Sequence, residues 1–147
     1  MTKSSLEALQ ICRSISNQTY QRVIQRIVDW VGITYGAEVY LNEASNYFIP
    51  TPLDELEELD YKLGDIEIDS SQQMHIKVFS LLHEAGHAHA YMLKIFGEKT
   101  TQLSVVEREK EAWNYGEEIA EKNNIILDKS DWTGYRDVCI KLYMEEE

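Results

Sequence analysis

The chain has 147 residues, 44% of them hydrophobic, and a formal net charge of −12. That length suits a single domain over residues 1–147 with one core. The excess of acid is a poor match for nucleic acid, whose binding depends largely on cation–phosphate contacts, and no apolar run has the length of a membrane span.

Residues 1–10 lack the basic-then-apolar pattern of a secretion signal. Cys12 and Cys139 lie far apart, and neither has a Cys-x-x-Cys partner. Together these features imply reduced thiols and a cytoplasmic compartment, and they argue against a structural zinc site built on cysteine.

Residues 5–30 carry a helical pattern through Leu6, Leu9, Ile11, Ile15, Val23, Ile24, Ile27 and Val28, with a break near Ser16-Asn17. Residues 37–41 alternate and predict a strand. Residues 42–45 are turn chemistry, and residues 47–49 predict a second strand closed by Pro50 and Pro52. Residues 54–60 form an acidic run, read as a short solvated helix or loop. Residues 64–69 alternate again and predict a third strand. Ser70-Ser71 then opens a long helix over residues 72–96, followed by a loop over residues 97–101. Ser104 with Glu107 three residues on has the spacing of a capping box, which starts a helix running to about Asn123. Ser130 or Asp131 caps a last helix to about Tyr143. This order predicts an α+β fold, with a small antiparallel or mixed sheet beside the long helix.

The long helix carries His83-Glu84-Ala85-Gly86-His87. Residues four apart on a helix share a face, so His83 and His87 can direct ring nitrogens at one metal ion. Glu84 sits beside that position, where a general base takes a proton from water. Two imidazoles and a carboxylate suit Zn2+ with a fourth position open. Gly86 costs a helix interior about 1 kcal/mol relative to Ala, which implies a close neighbour at that point. The alternative is a buried helix whose histidines are satisfied by ordinary hydrogen bonds.

A catalytic zinc needs a third protein ligand. No third histidine follows at the H-E-x-x-H-x-x-G-x-x-H spacing. His89 is turned about 200° from His87, and His75 about 80° from the ligand face, so both are read as structural. On the next helix Val105, Ala112, Gly116, Ile119 and Ala120 mark the apolar face, and Glu109 falls near its middle. A carboxylate there is costly unless paired or bound to metal. Glu109 is therefore the expected third ligand, with Glu111 second. The alternative for Glu109 is an ion pair with a Lys or Arg. Glu107 is accounted for by the cap.

The strand Gly64-x-Ile66-x-Ile68-Asp69, the long apolar helix ending in His-Glu-x-Gly-His, and the later stretch Glu109-Lys110-Glu111-Ala112-Trp113-Asn114-Tyr115-Gly116 together resemble the ImmA/IrrE-type zinc metallopeptidases. The resemblance covers about residues 65–116. It implies a minimal zincin-like fold and selects the same Glu109 in a pattern of the form E-x-x-A-x-x-(aromatic)-(small). Two features depart from the family: Trp113 stands where a polar residue is common, and no Leu-x-Pro follows Ile119. Many members of that family are encoded by phages and mobile elements, and some cleave transcriptional repressors.

The expectation is thus a zinc-dependent peptidase. Its metal ligands are His83, His87 and Glu109, its base is Glu84, and its substrate is a protein, with a regulator or repressor as the family's suggestion. An additional donor to the carbonyl oxygen is expected; Tyr91 and the Tyr135-Arg136 pair are available but no sequence rule places them. The alternatives are a catalytically silent metal-binding regulator that docks to a partner, for which Glu84 would have no use, and a structural protein with a cryptic site.

Overall fold

The fold is organised around the histidine-bearing helix. The computed structural model describes residues 6–97 and 103–146. In chain order the elements are β1 (Leu9–Ile11), α1 (Asn17–Tyr35), β2 (Val39–Asn42), β3 (Tyr47–Pro50), a 3-10 turn (Leu53–Glu55), β4 (Gly64–Asp69), α2 (Met74–Ile95), α3 (Val105–Lys122), β5 (Ile125–Leu127) and α4 (Lys129–Glu146). The chain is α+β, as expected.

β4 is the centre of a mixed three-stranded sheet. It runs parallel to β2 and antiparallel to β3, with Val39 opposite Ile66 and Tyr47 opposite Glu67. Its period of two is complete: Gly64, Ile66 and Ile68 are buried, and Asp65, Glu67 and Asp69 are half-buried. The inward face joins Val78, Phe79 and Leu82 of α2 in the core, together with Val23, Ile27, Val31 and Tyr35 of α1, which are spaced one turn apart. Ser16, expected as a break, is the N-cap of α1: its hydroxyl accepts from the Thr19 amide at 3.1 Å.

Three expectations are corrected. Residues 6–16 are not helical. They contain β1, which pairs in parallel with β5 near the other end of the chain. Leu9 and Ile11 satisfy a two-residue period as well as a helical one, and a partner 116 residues away leaves no local signal. β5 itself was not anticipated, because three residues are too short for a periodicity. The cap of α4 is neither Ser130 nor Asp131. Asp128 takes that place, its carboxylate accepting from the Asp131 amide at 3.0 Å and its carbonyl from the Trp132 amide at 2.9 Å. Of the loop expected over residues 97–101, all but Gly97 lies outside the described residues, as does Ser5.

α2 and α3 meet backbone to backbone. A Cβ added to Gly86 would sit 1.9 Å from the carbonyl oxygen of Ala112, and one added to Gly116 would sit 2.8 Å from that of Leu82. Neither can be accommodated without moving main chain. The pairs 82 with 116 and 86 with 112 run in opposite order, so the helices are antiparallel. This is the close neighbour that the cost of a mid-helix Gly86 implied.

Candidate metal centre

The capping box of α3 forms as its sequence predicts. Ser104 Oγ accepts from the Glu107 amide at 3.1 Å, and the Glu107 carboxylate accepts from the Ser104 amide at 3.2 Å. This fixes where α3 starts and leaves Glu107 exposed. Two residues on, Glu109 turns inward and is 7% exposed. Glu111 accepts from the Tyr115 hydroxyl at 3.1 Å, one turn along its own helix. The wheel that ranked Glu109 above Glu111 and Glu107 is thus the one the helix adopts.

With α2 held against α3 at the two glycines, His83, His87 and Glu109 converge. Their ligand atoms all lie within 4.8 Å of one another. Glu109 Oε1 is 3.0 Å from His83 Nε2, and Oε2 is 2.8 Å from His87 Nε2. Yet His83 Nε2 and Glu109 Oε1, although buried and close, are not aligned as donor and acceptor and have no hydrogen-bond partner. Buried polar atoms left in this state are costly. Two imidazoles and a carboxylate with ligand atoms this close are a donor set able to hold a metal ion.

Electrostatics bind the same three residues. Burial alone would lower the pKa of His83, but its contacts with Glu109 and Glu84 outweigh this and raise it to about 9. Burial would raise Glu109; the two histidines reverse the effect and hold it at about 2. Without metal the carboxylates favour the protonated form of His83, and the histidines favour the ionised form of Glu109.

Glu84 is buried, and its Oε2 lies 3.2 Å from Nδ1 of His83. Its carboxylate also lines a cleft of about 410 Å3, shared with His83, Asn46 at the start of β3, Trp113, and Cys139 and Tyr143 of α4. It touches the His83 ring and also lines the cleft.

His75 and His89 are structural, as expected. His75 packs edge-on against Phe79 with centroids 5.6 Å apart, and His89 Nδ1 is 3.0 Å from the Tyr35 hydroxyl. Two residues escaped the sequence reading. Trp113, where the sequence departs from the family pattern, lies flat on His83, with centroids 4.2 Å apart and planes 7° from parallel. The contact is a ring stack and not a hydrogen bond. Tyr143 lines the cleft, where burial together with the charges of Glu109 and Glu84 pushes its pKa up to about 12. The available signal was the spacing of Tyr135, Cys139 and Tyr143, which share a face of α4 at four-residue steps and all line the cleft. Cys12 and Cys139 are both free thiols.

Comparison of the chain with protein-family models, with curated proteins and with solved structures finds no match. Among the described residues no helix is long and apolar enough to cross a membrane.

Proposed function

We propose that this chain is a zinc-dependent peptidase of the ImmA/IrrE type. The observation that carries the reading is the convergence of His83, His87 and Glu109 around two buried atoms, His83 Nε2 and Glu109 Oε1, that do not satisfy each other. The donor set fits zinc, and these three residues would hold it. When bound, zinc supplies a Lewis acid that polarises a peptide carbonyl and makes water easier to deprotonate.

The chain's own residues supply the rest. Glu84, at the cleft wall, accepts the proton of the attacking water and returns it to the leaving amine. Trp113 and the glycine contacts hold His83 in place. β3 is an edge strand of the sheet, and Asn46 brings its start to the cleft, so an extended peptide has a strand to lie along. The substrate is then a protein segment. The resemblance suggests a regulatory protein such as a repressor, and the charge of −12 makes direct nucleic-acid contact a poor alternative.

A second reading is favoured by one contact. In that reading Glu84, 3.2 Å from His83 Nδ1, orients the ring instead of serving as a base, as carboxylates behind metal-bound histidines do. The protein would then be a metal-binding regulator acting by docking. Glu84→Gln separates the two. As a base, its loss lowers peptide turnover by about 10²–10⁴ with zinc affinity retained. As an orienting group only, its loss weakens zinc about 10–100-fold. Turnover is measured with the zinc-loaded protein on a proteome-derived peptide library. Equal cleavage by variant and wild type contradicts the base role of Glu84; no cleavage by either contradicts the peptidase reading.

A further inference from the structure

The polar side chains beside the metal helix divide into those whose hydrogen bonds are made and those with donors to spare. Tyr91 donates to the carbonyl of Thr51, and Arg136 turns to Asp137. Tyr135 differs: its hydroxyl accepts from Gln72 Nε2 at 3.3 Å and lies 3.3 Å from Ser80 Oγ. Ser80 and Tyr135 share one hydrogen bond but carry two hydroxyl hydrogens. Whichever hydroxyl donates to the other, the second hydrogen has no acceptor among the described residues. Ser80 is 2% exposed, and both residues line the cleft beside His83. Trp113 lines it too; it is 1% exposed, and its indole Nε1–H has no partner. Three helices thus bring two unpaired donors to one cleft, and a buried donor without an acceptor costs about 1–3 kcal/mol.

We propose that Ser80, Tyr135 and Trp113 form a subsite for an uncharged side chain ending in a carbonyl, so that the substrate carries Gln or Asn next to the bond cleaved. The inference rests on the peptidase reading above and adds a substrate class to it. β3 offers an edge to the peptide main chain, so what reaches the helical wall is a side chain. One amide oxygen has two lone pairs, enough for the spare hydroxyl hydrogen and the indole N–H together. A carboxylate would also accept, but Glu84 lies in the same cleft and no Lys or Arg lines it. Met matches Gln in length yet leaves both donors unpaired, which is how a site built on hydrogen bonds rejects an apolar analogue.

The test uses the full chain loaded with zinc and three blocked amino acids, the N-acetyl methylamides of Gln, Met and Glu. Their shared backbone cancels, so the ratio of dissociation constants, read by NMR titration, reports the side chain. Wild type should bind the Gln compound roughly 10-fold or more tighter than the Met compound, and the Glu compound more weakly than Gln. Either hydroxyl alone still has a hydrogen to offer. The single variants Ser80→Ala and Tyr135→Phe should therefore keep most of the preference. The double variant should lose roughly 3- to 10-fold of it, the worth of one hydrogen bond, with Met affinity unchanged. A wild type that binds Met or Glu as tightly as Gln overturns the proposal, whatever the variants do, and so does a folded double variant with the full preference. Preference for Gln with no peptide cleaved leaves the subsite standing and overturns the peptidase reading, as does a wild type that takes up no zinc.

Discussion

On one side α3 meets α2 main chain to main chain; on the other it meets α4 through large aromatic rings. The first contact has no slack, with Gly86 and Gly116 facing the carbonyls of Ala112 and Leu82. The second is filled by Trp113 and Trp132, whose centroids are 5.0 Å apart, by Tyr135, and by a 2.7 Å hydrogen bond from Trp132 Nε1 to Glu117. Backbone contact fixes the distance between two helices to within a fraction of an ångström, because main chain cannot change rotamer. Aromatic packing contributes more buried area but tolerates rotation of the rings. The proposed ligands His83, His87 and Glu109 sit along the rigid seam, while Trp113 and Tyr135 of the adaptable one contribute to the cleft wall. A metal site needs the former, and a site that must admit and release a peptide needs the latter.

One methyl group probes the backbone seam, with an exposed glycine of α4 as the reference. Gly86→Ala should be the most damaging of the glycine substitutions. Overpacking costs about 1–3 kcal/mol and occasionally more, and a 1.9 Å approach to main chain belongs at the upper end or beyond, against a gain of about 1 kcal/mol in helix propensity. Denaturant midpoints should fall and zinc affinity with them. Gly116→Ala, with 2.8 Å to Leu82 and 3.4 Å to Trp132, should cost less. Gly134→Ala, on α4 with nothing within 4 Å of the added carbon, should stabilise by about 0.5–1 kcal/mol. A Gly86→Ala protein as stable as wild type would break the comparison between the two seams.

Much of the rigid seam is legible in the sequence. The spacing of His83 and His87, the place of Glu109 on an apolar face, the Ser104–Glu107 box and the anomaly of Gly86 are all local, and all agree with the structure. The strand over residues 64–69 is legible for the same reason, since its alternation is complete. What the sequence hides is contact across long separations. β1 and β5 are three residues each and pair across a long stretch of intervening chain, Leu9 with Ile125. Trp113 looks like a lost polar contact until its ring is seen on His83. Tyr143 gains its place from the packing of α4, which no spacing rule orients toward α2.

A smaller effect follows from protonation. In the metal-free protein the folded pKa of His83, about 9, lies above its ordinary 6.5. Its contribution to stability is fully present below pH 6.5 and is lost as pH rises through 9. Glu109, at about 2 against an ordinary 4.5, contributes above pH 4.5 and loses that contribution as pH falls through 2. The pair therefore supports the metal-free fold most between pH 4.5 and 6.5. Zinc must displace the His83 proton, so apparent zinc affinity should rise from pH 6.5 to 9, with about one proton released per ion at pH 7. Calorimetry in buffers of different ionisation enthalpy reads that proton directly. A zinc affinity flat across this range would contradict the pairing of His83 with the carboxylates.

The most direct test of the central claim is a metal count on reconstituted protein by native mass spectrometry, comparing wild type with Glu109→Ala, Glu111→Ala and Glu107→Ala. One zinc per chain is expected in wild type and in the Glu111 and Glu107 variants, with the ion lost from Glu109→Ala. A wild type that stays metal-free at neutral pH, or a Glu109→Ala protein that keeps zinc while Glu111→Ala loses it, would contradict it.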